Sequence, residues 1–255
     1  MQTMVYPPAM QAIGTFDGGR ITEQKPIGFP GEGSVIKRVG PLFYWAWATA
    51  NDDAAIGLHP HKGFEIMTYV TQGEARHGDT LGTDSVVGAG GTQVMQTGSG
   101  VSHQERLGAG TEAFQIWFEP DLEKAFRRAP TYNQYGHGDF PQDSLPGVSV
   151  KTIIGEDAPI RLVAEARMWD IEVSPGAKYV HPVAAGDSLA ALAIRGGGTW
   201  AGGAESAVTF EHKDFIVARA EADMDASIVN DGESALRMLL IQVPTTVEYP
   251  LYPKR

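Results

Sequence analysis

Two short segments of this chain carry side chains that could hold a metal ion. One is His59-Pro60-His61-Lys62-Gly63-Phe64-Glu65, and the other, about 40 residues later, is Gly98-Ser99-Gly100-Val101-Ser102-His103-Gln104-Glu105. Side chains alternate between the two faces of a strand, so His59, His61 and Glu65 can share one face and His103 and Glu105 another. Where such faces meet inside a barrel, three imidazoles and one carboxylate converge. This nitrogen and oxygen donor set suits Fe, Mn, Ni, Cu or Zn, and four protein ligands leave one or two positions open to water, O2 or a substrate oxygen. Three neutral imidazoles and a carboxylate leave a divalent ion with a residual charge of about +1, which attracts an anionic oxygen donor. A lone His-X-His is more often an exposed or core pair than a metal site, and the second His-X-Glu segment is what favours metal. Spacing alone does not choose between Glu65 and Glu105 as the carboxylate ligand, because both have the right parity.

The chain has 255 residues and no cysteine. A disulfide scaffold, a thiolate zinc site, a cysteine-held iron–sulfur cluster and a cysteine nucleophile are therefore excluded, leaving histidine and carboxylate as the metal-binding residues. With 20 basic and 31 acidic residues, the net charge is −11. That balance argues against direct docking on nucleic acid or on an anionic membrane, both of which need a concentrated Lys/Arg surface. Lys37-Arg38 and Lys124 with Arg127-Arg128 read as solvated faces. Neither a signal-like start nor a run of 18 apolar residues occurs, so the expected location is cytoplasmic.

The elements that would position the two motifs are strands. Apolar runs of four to eight residues, punctuated by Gly, Pro or Asn-Asp, are expected over Val35–Val39, Phe43–Ala48, Glu65–Thr71, Thr92–Gln96, Ala113–Glu119 and Val148–Ile154. The same pattern covers Arg161–Val163, Met168–Val173, Ser188–Ile194, Phe215–Ala218 and Leu236–Val243. Only Pro120 to Phe126 reads as helix. The halves echo each other: His59 precedes Gly73 by 14 residues and Val94 by 35, while His181 precedes Gly196 by 15 and Phe215 by 34. At about 150 residues per domain, the length and this echo together favour two stacked β-barrels with a boundary between Arg128 and Gly147. Applying the His59-to-His103 and His59-to-Glu105 offsets to His181 lands on Asp225 and Ser227, so the second barrel is expected to be metal-free.

The stretch from Leu58 to Val70, with Gly73, Asp79-Thr80-Leu81-Gly82, Gln93-Val94-Met95 and Gly98 to Glu105, resembles the pirin family of the cupin superfamily over about Gly57 to Pro120. The resemblance implies an all-β chain of two tandem cupin barrels of the jelly-roll or double-stranded β-helix type, divided here as 1–130 and 131–255. It implies His59, His61, His103 and Glu105 as ligands, with Glu65 near the metal rather than on it. Iron(II) is the implied metal, with Mn, Ni, Cu, Co or Zn as alternatives. The implied activity is a dioxygenase using O2 on a flavonol such as quercetin, with Glu65 or Glu105 taking the substrate proton, Glu65 if Glu105 is locked on the metal. The other reading is a non-catalytic, metal- or redox-responsive regulator that acts through protein partners. Two departures bear on the pocket: Lys62 stands where pirins usually have Arg, and Gly40 to Trp47 lacks the Asp-His pair of many relatives.

Several further residues have two readings. His77 could face the metal cavity or serve a turn, while His137 and His212 sit in polar, loop-like surroundings. Met67, Tyr69, Met95, Phe114 and Trp117 could line a substrate pocket, with core packing as the plainer account. Gly98 and Gly100 suit a tight turn before the strand of His103 rather than a phosphate loop, since they do not open a helix.

Overall fold

The computed structural model describes residues 2–202 and 206–254. Its first strands are β1 (Gln2–Tyr6), β2 (Ala12–Phe16), β3 (Ile21–Ile27), β4 (Leu42–Ala50), β5 (Ala54–His61), β6 (Glu65–Gln72), β7 (Glu74–Asp79), β8 (Asp84–Gly88), β9 (Thr92–Gln96), β10 (Val101–Leu107) and β11 (Glu112–Phe118). After the short helix α1 (Leu122–Ala125) come β12 (Thr131–Tyr135), β13 (Gln142–Leu145), β14 (Val148–Ile154), β15 (Arg167–Val173), β16 (Lys178–Val183), β17 (Asp187–Arg195), β18 (Gly198–Gly202), β19 (Val208–Phe210), β20 (Phe215–Arg219), β21 (Met224–Val229) and β22 (Leu236–Pro244). The one α-helix among the described residues falls where it is expected, capped by the Asp121 carboxylate, which accepts from the Lys124 amide. Val35–Val39 and Arg161–Val163 are not strands. Val39 forms only an isolated bridge to Leu42, and the backbone of Val163 donates to a side chain instead of a ladder.

Among the described residues the strands form two seven-stranded and two four-stranded sheets. The order β5-β10-β7-β8 is repeated by β16-β21-β18-β19, and β9-β6-β11-β4-β3-β2 by β20-β17-β22-β15-β14-β13. Thus the echo of the two halves is a repeated two-sheet barrel, the tandem cupin architecture. The turn glycines match as well: Gly73 joins β6 to β7 and Gly196 follows β17, both at positive φ.

The repeat has one exchange. By position in it β1 corresponds to β12, yet β1 pairs with β20 of the second barrel and β12 with β9 of the first. Each seven-stranded sheet thereby gains an edge strand from the other half of the sequence. The compact units follow this pairing rather than a single cut at residue 130. One contains Gln11–Asp139, Leu162–Ala164 and the stretch from Glu248; the other contains the stretch through Met10, Phe140–Arg161 and Glu165–Val247.

In the first barrel, Ile21, Ala48, Ala50, Val70 and Ala113 of the larger sheet pack on Ala54, Ala75, Val87 and Leu107 of the smaller. A second cluster is aromatic, with Phe43, Tyr44 and Trp117 buried and Phe29 and Phe64 packed against them. The second barrel closes on one core that includes Trp200, Phe210, Ile216 and Met238. Among the described residues, no helix is long and apolar enough to cross a membrane.

Candidate metal centre

The position of the histidines depends on a bulge. Along the β5–β10 ladder Glu105 pairs with Ile56, but His103 pairs with His59, so β5 carries one extra residue between the two pairs. A bulge shifts the alternation of side chains by one. Ala54 and Ile56 are therefore turned inward before it, and His59 and His61 after it. On β10 the alternation is unbroken, with Val101, His103, Glu105 and Leu107 all buried. The turn from Thr97 to Gly100 delivers that strand: Gly98 sits at φ +49°, and a Cβ there would meet the Arg128 carbonyl oxygen at 2.5 Å, a position that only glycine accommodates.

Three ring nitrogens converge as a result. His103 Nε2 lies 3.0 Å from His59 Nε2 and 3.0 Å from His61 Nε2. Donors bound at about 2.1 Å to one ion and at right angles to each other stand about 3.0 Å apart, so the spacing fits a first-row metal. Among the described residues, His59, His61 and His103 form the one group of three or more potential ligands close enough to share an ion.

The tautomers agree with that use. His59 Nδ1 lies 2.7 Å from the Gly57 carbonyl, so Nδ1 carries the proton and Nε2 keeps its lone pair. Burial depresses the pKa values of His61 and His103 to about 3, with further lowering from the neighbouring imidazoles. Both rings are consequently neutral and able to donate lone pairs at neutral pH.

The carboxylates are placed differently. Glu105 lies on the same inward face of β10 as His103, but its oxygens accept from Thr68 Oγ1 at 3.3 Å and Gln115 Nε2 at 3.0 Å, and it stands outside the tight histidine group. Burial raises its pKa, opposed by the electrostatic influence of the nearby His59 and His77 rings and by the Thr68 and Gln115 hydrogen bonds.

Glu65 is not on the face of His59 and His61. The turn at Lys62-Gly63-Phe64 ends β5, and Glu65 begins β6 in the other sheet, so the parity argument does not carry across. Glu65 is 2% exposed, and its carboxylate accepts from Gln96 Nε2 at 2.5 Å, the Val163 amide at 2.8 Å and the Ala164 amide at 2.8 Å. The proton-accepting role expected for Glu65 has no support in this geometry, because the carboxylate anchors the segment at 162–164.

Other residues also resolve. Met67, Tyr69, Met95, Phe114 and Trp117 are all buried, and of the five Trp117 also edges the site, its ring 4.8 Å from that of His61. Lys62 lies over the Phe126 ring. Arg38 is no solvated face: it pairs with the buried Glu119 at 3.0 Å. In the second barrel both ring nitrogens of His181 are engaged, by the Tyr179 hydroxyl and by Gln242. His77, which has two readings from sequence, lies with its ring buried 3.5 Å from His103, Nδ1 to Nδ1, and pairs with Asp79, a contact that neither reading includes. The His-X-Asp spacing of these two on β7 is the signal that could have found them.

Comparison with known proteins agrees with the architecture. The family model described as Pirin matches residues 43–118, which include all three clustered histidines. Pirin-1 of Arabidopsis thaliana is 30% identical over 231 residues, covering 83% of this chain and 77% of its own. Among solved structures, the bacterial pirin YhhW of Escherichia coli in complex with nickel(II) aligns with a TM-score of 0.77 at 21% identity, covering 95% of this chain and 99% of that one. Quercetin 2,3-dioxygenase from Acinetobacter baumannii aligns with a TM-score of 0.77 at 19% identity, covering 98% and 89%. At such identities the structural likenesses establish the fold. The sequence relation across most of both chains goes further, and with it this chain belongs to the pirin family.

Proposed function

We propose that this chain is a metal-dependent dioxygenase that cleaves a flavonol such as quercetin, with His59, His61, His103 and Glu105 as ligands and iron(II) as the metal. The observation that carries the reading is the convergence of three histidine Nε2 atoms beside the ring of Trp117. The nickel(II) of the Escherichia coli pirin supports a divalent ion, and the Acinetobacter baumannii quercetin dioxygenase supports the substrate class and O2 as co-substrate.

When bound, the metal supplies a Lewis acid for a substrate oxygen and a position for O2. The protein supplies the rest. Trp117, packed with Phe29 at 5.1 Å and Phe64 at 5.6 Å, makes the wall beside His61 aromatic, which suits a planar phenol as substrate. Glu105, buried on the inward face of β10 beside His103, is placed to take the proton of a substrate hydroxyl. Its bonds to Thr68 and Gln115 hold it on the wall of the barrel that carries His103.

An oxygen electrode tests the reading. Iron-loaded protein with quercetin is expected to consume O2, and uptake no greater than that of a His59→Ala variant would sink the dioxygenase in favour of the non-catalytic regulator. Elemental analysis of protein purified without chelator tests the metal separately.

A further inference from the structure

His103 is linked to a second histidine. Across the β7–β10 ladder Asp79 stands opposite His103, and His77 opposite Glu105. His103 Nδ1 lies 3.5 Å from His77 Nδ1, and His77 Nε2 lies 2.8 Å from Asp79 Oδ2. The other Asp79 oxygen accepts from the Leu81 and Thr83 amides at 2.9 and 3.0 Å. The side chains of His77 and Asp79 are 1% and 0% exposed, and the His77 ring stacks on Tyr132 at 4.4 Å. Carboxylate, two imidazoles and the histidine cluster thus form one buried line.

Protons can be placed along that line in only one way if His103 is to bind a metal. A bare Nε2 on His103 requires a proton on its Nδ1, and the acceptor within reach is His77 Nδ1. His77 must then carry its own proton on Nε2, where Asp79 accepts it. The reverse arrangement puts the His103 proton on Nε2, pointing into the cluster, where it blocks a ligand bond. Moreover, Asp79 holds no proton to give while it accepts from two backbone amides and His77, so it selects the first arrangement.

We propose that His77, oriented by Asp79, is a positioning residue that fixes the tautomer and ring plane of His103, so that a carboxylate–imidazole–imidazole chain supports the metal centre. The proposal rests on the reading of His103 as a ligand. His59 uses a backbone carbonyl for the same purpose, whereas His103 is supported through the side chains of His77 and Asp79.

The test uses the full chain loaded with Co(II), followed by proton NMR of the hyperfine-shifted ring N–H signals and by chelator competition. His77→Phe keeps an aromatic ring against Tyr132 but removes both nitrogens, and Asp79→Asn keeps the shape while removing the charge. Each is expected to weaken Co(II) binding by about 10–100-fold. The His103 N–H signal should be lost or displaced while that of His59 stays. Circular dichroism checks the fold, and Asp79→Asn carries the test if His77→Phe does not fold. Wild-type affinity and an unmoved His103 signal in a folded variant overturn the proposal and leave the metal site standing. Failure of the unaltered chain to take up Co(II) overturns both.

Discussion

His103 and His59 face each other directly across the β5–β10 ladder with their Nε2 atoms 3.0 Å apart. The pairing exists because one extra residue in β5 returns His59 to the inner face after Ile56. A bulge inserted next to a cluster of ligands is a local cost to the ladder that re-aims side chains. Here it converts an ordinary barrel wall into one that presents both His59 and His61 to β10.

Glu105→Gln separates two roles for that carboxylate. The amide retains the shape and a partner for Gln115 or Thr68, so the barrel should fold. If Glu105 takes the substrate proton, O2 uptake with quercetin falls by about 100-fold or more while bound metal is retained. Loss of metal alongside activity, measured by elemental analysis, assigns Glu105 as a ligand first.

Glu65→Gln should act on stability instead. Its carboxylate accepts from Gln96 and from the Val163 and Ala164 amides, and hydrogen bonds to a charged group are worth about 1.5–3 kcal/mol each. An amide can accept at only one of its two former oxygen positions, leaving a buried donor unmatched. Urea unfolding is expected to show a loss of about 2 kcal/mol, with metal content unchanged. A fall in metal content without a fall in stability would return Glu65 to the centre.

These two glutamates also show what the sequence made legible. The barrel class, the repeat, most of the strands named and the three histidines were readable, because alternation, turn glycines and the His-X-His and His-X-Glu spacings are local signals. Period-2 parity misplaces Glu65 because it does not hold through Lys62-Gly63-Phe64, where the chain leaves one sheet for the other. The bulge in β5 has no sequence mark of its own. Strands β1 and β12 escaped for a different reason: Gln2 to Tyr6 and Thr131 to Tyr135 are short edges with little apolar alternation, and which sheet they join is set by distant pairing. The His-X-Asp spacing of His77 and Asp79 is local, but their link to His103 exists only because β7 lies beside β10.

The depressed imidazoles make the metal-free protein sensitive to acid. His61 and His103 have pKa values of about 3 in the folded chain, against about 6.5 when unfolded. Between these values the unfolded chain binds more protons, so stability rises with pH across that window. The contribution is complete above about pH 6.5 and is lost as pH falls toward 3. Thermal unfolding of chelator-treated protein from pH 7 to pH 4 should therefore show a steeper fall than the same scan of a His61→Gln/His103→Gln variant. Parallel curves for the two proteins would refute the shifts.

Removing the first six residues tests the exchange of edge strands. Without β1, β20 becomes the edge of its sheet and loses a five-residue antiparallel ladder from Gln2↔Arg219 to Tyr6↔Phe215. An uncovered edge invites association, and each kcal/mol lost lowers the unfolding midpoint by about 2–4 °C in a chain of this size. The truncated protein is thus expected to melt earlier and to aggregate more readily. Its metal content and Co(II) affinity should nevertheless equal those of the full chain, because β5, β7 and β10 belong to a different sheet in the other compact unit. A truncation that strips the metal while leaving the melting point in place would mean that β1 supports the first barrel after all.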